Sequence, residues 1–199
     1  MRRLSLRWVV PLVIGLLFIP TFVAAQTDSL ETTPETHEHR GFMLRVTAGP
    51  SYGGAFDSNY SGPGMDGSLA VGGFFSRHFA IHLSVLGSAL FAHADEAHLI
   101  DQDPDQNVYT LSGGVGVTYY RSSGVYGSFS YTAGAQKLSK EESWDGDATF
   151  AELLLGKEWG QGGLGYGVAL GFIGGIGAAE NSDAQFSGGA SIRFSMTLR

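Results

Sequence analysis

The chain has no cysteine in 199 residues. That absence excludes disulfides, thiolate metal sites and a lipid-modified N-terminal cysteine. Basic residues are scarce: 12 Lys and Arg stand against 19 Asp and Glu, for a net charge of −7 with His neutral. An acidic chain is a poor partner for nucleic acid. A helical apolar period is also missing beyond the N-terminal stretch. Abundant instead are glycine, with 30 residues, and aromatics at 12%. That profile suits many strands and turns better than helices.

The N-terminus has the order of a secretory signal. Arg2, Arg3 and Arg7 are followed by an apolar core from Trp8 to Ile19, broken by Pro11 and Gly15. Pro20 ends the core, and Val23-Ala24-Ala25 supplies the small residues that signal cleavage requires. The core is too short to cross about 30 Å of hydrocarbon as a helix. Residues 1–25 are therefore expected to be removed, leaving 9 Lys and Arg against 19 Asp and Glu, a net −10. Arg2-Arg3 alone is a poor sign of twin-arginine export, since a membrane barrel travels unfolded. Residues 26–40 are polar, with Pro34 and four acidic residues, and read as a flexible periplasmic lead-in to a barrel domain at 41–199.

Within that domain the hydrophobic period is two. In Phe79 to Ala92 one face is Phe79, Ile81, Leu83, Val85, Gly87, Ala89 and Phe91; the other is mostly small and partly polar. Strands are long enough here to cross a bilayer at a tilt, which takes about 9–11 residues. Alternation predicts strands starting at Arg40 and over 67–76, 79–92, 108–120, 125–136, 148–159, 164–174 and 185–198. Short turns centre on Arg77, Ser122 and Gly162. The long connections, among them a glycine-rich loop from Gly53 to Gly64, carry 13 of the 19 acidic residues, Asp66, Asp105 and Asp147 included. Short turns at one rim and long loops at the other mark an all-β fold, an eight-stranded antiparallel up-and-down transmembrane β-barrel.

The composition of the faces decides which one meets lipid. A soluble barrel carries Lys and Glu on its solvated face. Strand five instead opposes its apolar face with Tyr126, Ser128, Ser130, Thr132, Gly134 and Gln136, all uncharged. Strand seven opposes its apolar face with Gly and Ala. Such residues fit a crowded lumen, so the large apolar set faces lipid. Tyr119, Trp159 and Phe79 are expected in the aromatic girdle at the short-turn rim, and Phe91, Tyr109 and Tyr131 at the other.

With eight strands, this asymmetry, Thr118-Tyr119-Tyr120, Gly156-Lys157-Glu158-Trp159 and an alternating last strand, residues 40–199 resemble the small outer-membrane barrels of Gram-negative bacteria, the OmpA/OmpX/OmpW-like group. The resemblance implies outer-membrane lipid as surroundings. It also implies recognition of the last strand by the barrel assembly machinery through Ile192, Phe194, Met196 and Leu198. The group usually ends on an aromatic; this sequence ends Leu198-Arg199.

Four charges fall on the lumen face: Arg45, Glu152, Glu158 and Arg193. They are expected to form a structural network, because a barrel of this size has room only for its own side chains and unpaired charges there are costly. Glu158 is expected to pair with Arg45 or Arg193 in the lower half; Glu152, set higher, has no assigned partner. His82-Leu83-Ser84 weakly resembles the His-x-Ser of outer-membrane lipid A deacylases, but alternation turns both polar residues toward the lumen. His93-Ala94-Asp95-Glu96-Ala97-His98 and His37-Glu38-His39 lack the helix that would focus metal ligands. No catalytic, cofactor or metal site is expected. The function expected is non-enzymatic, structural or surface-interacting, with the acidic loops as the place for an extracellular ligand. A narrow barrel transporting small hydrophobic molecules is the alternative, and a lipid-modifying enzyme the third reading. The sequence leaves the oligomeric state open.

Overall fold

The computed structural model describes residues 41–55, 60–94, 105–138, 147–160, 163–178 and 185–199. The expected signal peptide, the lead-in and His37-Glu38-His39 lie outside them, as do most of the acidic loop residues.

Eight strands follow one another: β1 (Gly41–Ala55), β2 (Tyr60–Phe74), β3 (Phe79–Ala94), β4 (Asp105–Tyr120), β5 (Val125–Leu138), β6 (Asp147–Trp159), β7 (Leu164–Ala178) and β8 (Gln185–Leu198). Each pairs antiparallel with the next, and β8 pairs with β1 to close the barrel. Closure leaves no sheet edge, which hydrocarbon requires because nothing there can satisfy a free backbone N–H or C=O.

Exposure alternates with the predicted phase. Leu83 is 67% exposed and Phe194 69%, while His82, Ser84, Arg193 and Ser195 beside them are buried. A soluble protein would bury the first pair. Here the apolar set forms a continuous outer band and the polar set lines the inside, an inversion that only a lipid exterior makes favourable. Aromatics cluster at the short-turn end of the band: the rings of Phe79 and Tyr119 lie 4.9 Å apart and those of Phe75 and Phe79 5.8 Å.

Strand boundaries agree within two residues at the short-turn rim, where β2 ends at Phe74 rather than at residue 76, and differ more at the other. The glycine-rich stretch expected as a loop is largely strand: Gly53 pairs with Gly62 and Gly54 with Ser61 on one side, and Gly53 pairs with Gly189 on the other. Only residues 56–59 separate β1 from β2, so this connection is no longer than the turns at the opposite rim. The glycines serve close approach rather than turning. A Cβ on Gly53 would lie 2.8 Å from the Gly188 carbonyl oxygen. Pro50 and Pro63 also fit inside strands. Each falls where one neighbouring ladder is interrupted, β1–β8 at Gly49 and Pro50, β2–β3 at Gly62 and Pro63. A residue without an N–H leaves no donor wasted there.

The turn from Arg121 to Gly124 shows why one glycine is obligatory. Arg121 N–H donates to Val125 O (2.8 Å), Gly124 N–H donates to Arg121 O (3.0 Å), and Gly124 has φ +79°. Only glycine takes that backbone without cost.

Candidate functional site: the barrel lumen

The lumen is filled by side chains in layers, and β-pleat alternation places each of them. Nearest the short-turn rim, Met43, Ala70, Ala80, Tyr120, Tyr126, Leu154 and Ala169 form one apolar cluster, with Phe74 packed against it. Nearer the loop rim, Leu86, Ala148 and Phe150 form another, with Ile173 alongside. Polar residues occupy the space around and between these clusters.

The four lumen charges are all buried, Arg45 at 2% exposure and Arg193 at 0%. Their partners differ from those expected. Arg193 is held by two carboxylates: Nη1 donates to Glu152 Oε1 at 2.5 Å, and Nε lies 2.6 Å from Asp66 Oδ1. Thr47, Ser68 and Ser191 hydroxyls accept further bonds from the same guanidinium at 3.0–3.4 Å. Asp66 thus belongs to the lumen, not to a loop. The signal was present in the phase of alternation, since Asp66 shares parity with Ser68 and Ala70; reading the glycines beside it as a loop hid that phase. Asp105 and Asp147, also assigned to loops, are the first residues of β4 and β6.

Glu158 pairs with neither Arg45 nor Arg193. Its Oε1 accepts from Thr197 Oγ1 at 2.7 Å, and its Oε2 accepts from Arg199 Nη2. Arg199 continues the lumen-facing parity of Arg193, Ser195 and Thr197, and its backbone N–H donates to Gly163 O at 2.7 Å. Its guanidinium carbon lies 4.8 Å above the Tyr120 ring. The Tyr120 and Tyr126 rings lie 5.5 Å apart, tilted by 37°, and Arg45 sits 4.9 Å over the Tyr126 ring. Arg45 Nη2 donates instead to Ser128 Oγ (2.7 Å) and Thr118 Oγ1 (3.2 Å). Cation–π stacking and hydroxyls take the place of the expected ion pair. The separation of Glu158 from Arg45 and Arg193 reflects barrel stagger, which shifts strands against one another along the axis and is not readable from one strand at a time.

His82 and Ser84 face this interior, as alternation predicted. The His82 ring shares hydrogen bonds with Ser84 Oγ (2.9 Å) and Thr118 Oγ1 (3.0 Å), and Ser84 bonds on to Ser130 (3.1 Å). The pair is buried among hydroxyls and does not present a nucleophile to lipid. No group of three or more metal-ligating side chains converges among the described residues; His98 and the acidic residues beside it lie outside them.

Glycines on the lumen face act as seats for large neighbours. The Tyr126 ring lies over Gly156, where an added Cβ would fall 2.6 Å from Cε1. Arg193 Nε lies over Gly171 at 3.0 Å from such a Cβ, and both Arg199 Nη2 and Glu158 Oε2 over Gly165 at 3.2 Å. His82 and Ser130 lie over Gly116. Strand seven's small face is therefore the counterpart of the bulky residues opposite it.

These geometries yield a graded expectation for the lower cluster. Glu158→Gln keeps the volume and an acceptor for Thr197 but removes the charge facing Arg199. The loss should be about 1.5 kcal/mol, the low end for a charge-assisted bond, because Arg199 keeps some solvent contact. Urea unfolding of the refolded protein in liposomes measures it.

No family model matches the chain, and no curated protein matches it significantly. Solved structures do. Neisserial surface protein A is 12% identical, with a TM-score of 0.53 over 79% of this chain and 96% of that one. OprG from Pseudomonas aeruginosa is 10% identical, with a TM-score of 0.44 over 81% and 98%. AlkL, solved in lipid bilayers, is 10% identical, with a TM-score of 0.40 over 87% and 94%. The fold is that of the small eight-stranded outer-membrane β-barrels.

Proposed function

We propose that this protein is a non-enzymatic integral barrel of the Gram-negative outer membrane, with a structural or surface-interaction role. Cleavage of residues 1–25 after export would deliver it, and both ends of the barrel domain would lie on the periplasmic side. The observation that carries the reading is the filled lumen. Arg193 bridges Glu152 and Asp66 at its centre, between two apolar clusters. A conducting path would need those groups to face water rather than one another. With the inside committed to packing, recognition would fall to the long connections, where the sequence carries most of its acidic residues. The last strand, with Ile192, Phe194, Met196 and Leu198 all exposed on the lipid face, is available to the assembly machinery.

Planar bilayers test this reading. Pure protein should insert without steady conductance. Stepwise currents that change in size on Glu152→Gln would replace it with a channel. Uptake of small hydrophobic solutes into vesicles, dependent on the protein, would favour the transport alternative.

A further inference from the structure

Charge on the outward face of the strands is confined to their ends: Lys137 and Asp147 share the outward parity at the loop rim, and Lys157 lies near the short-turn rim. Lys157 points out from β6 with Leu155 and Trp159, and pairs across to Val125 on β5 and Val168 on β7. Its stem therefore starts among apolar lipid-facing residues. Its Nζ reaches back to 5.5 Å from the Trp159 ring, on the water side. Arg121, exposed at the end of β4, is bonded through its backbone to Val125 on the other side. The two cations thus flank Val125 on neighbouring strands, with backbones about 10 Å apart at ordinary strand spacing. Tyr119 and Leu155 lie one step toward the membrane centre. Among the described residues this rim has no exposed Asp or Glu; Glu158 is buried and paired with Arg199.

We propose that Arg121 and Lys157 hold the phosphate of an anionic glycerophospholipid in the leaflet at the short-turn rim. Charge complementarity selects the headgroup. Two long cationic side chains rise on either side of an apolar residue, Val125, and the surface beyond is apolar, suited to acyl chains. Lysine on a lipid-facing strand is tolerated only near the interface, where its head reaches the phosphate layer. The inference rests on the membrane-spanning fold and is independent of whether the lumen conducts.

Trp159 provides the readout. The sequence has three tryptophans, Trp8, Trp144 and Trp159, so a W8F/W144F background isolates it. The full chain is placed in phosphatidylcholine bilayers doped with either brominated phosphatidylglycerol or brominated phosphatidylcholine. Heat-modified gel migration confirms an inserted barrel in every sample. Quenching should indicate about thirtyfold enrichment of phosphatidylglycerol beside Trp159, matching two basic residues at about 1 kcal/mol each at an anionic surface. R121Q/K157Q should bring the ratio of the two lipids to unity, while K137Q, at the other rim, should leave it unchanged. Equal quenching by both lipids in the parent protein overturns the proposal. So does a preference that survives R121Q/K157Q.

Discussion

Leu83→Arg should destabilise the inserted barrel by about 2–4 kcal/mol, Val168→Arg by less, and Leu198→Arg by about 0–1 kcal/mol. All three side chains are exposed and apolar, so their exposure does not separate them. Depth does. Leu83 lies between Val71 and Val115, well inside the apolar band. Val168 lies nearer the short-turn interface, between Lys157 and Phe194. Leu198 ends β8, beside Leu44 and Leu164 at the rim. In water an arginine at any of these positions would be solvated, and the three variants would behave alike. Hydrocarbon charges for the guanidinium according to its distance from the headgroups. Urea titration of each variant in liposomes measures the gradient. Equal, small losses at the three sites would contradict a lipid exterior.

The second large effect is expected at Arg193. Arg193→Met leaves Glu152 and Asp66 facing each other in a closed interior with their shared cation gone. Removing one partner of a buried ion pair typically costs about 3–5 kcal/mol, because the remaining charge has lost water without compensation. Here two carboxylates remain. The triple change Arg193→Met, Glu152→Leu, Asp66→Leu removes the whole group, and its loss should be much smaller, near neutral if the lumen repacks. The same unfolding titration compares them. A single variant as stable as the parent would show that the cluster is hydrated or rearranged. A triple variant no better than the single would show that the charges act through packing volume rather than electrostatics.

How much of this was legible in the sequence depends on whether a feature lives within one strand or between strands. The face of every lumen residue follows from period two, which is why Arg45, His82, Glu152, Glu158 and Arg193 were placed inward from sequence alone. Strand ends at the short-turn rim were legible because Arg121 to Gly124 and similar stretches read as turns. At the loop rim they were not. Glycine has two uses, turning and close approach, and Gly53 and Gly64 use the second. Pro63 among them strengthened the wrong reading, although proline is compatible with an interrupted ladder. Partner choice was not legible either. Glu158 meets Arg199 and Thr197, while Arg193 meets Asp66 from β2 and Glu152 from β6; which heights coincide across the barrel is fixed by stagger.

The glycine seats bear on how such a barrel finds its own alignment. Sliding a strand by one residue turns its apolar face inward and is strongly disfavoured. Sliding by two keeps every face correct, so the inside-outside pattern offers no defence against it. The seats do. With β7 displaced by two, Ala169 would come under the position that Gly167 or Gly171 now occupies, and Arg193 would meet a methyl group where it now has clearance. With β6 displaced, Tyr126 would lose the gap over Gly156 and meet Leu154 or Glu158. Each guest residue thus accepts one alignment of its neighbour. The inner surface works as a set of vernier marks, against which a closing barrel can be read as matched or mismatched.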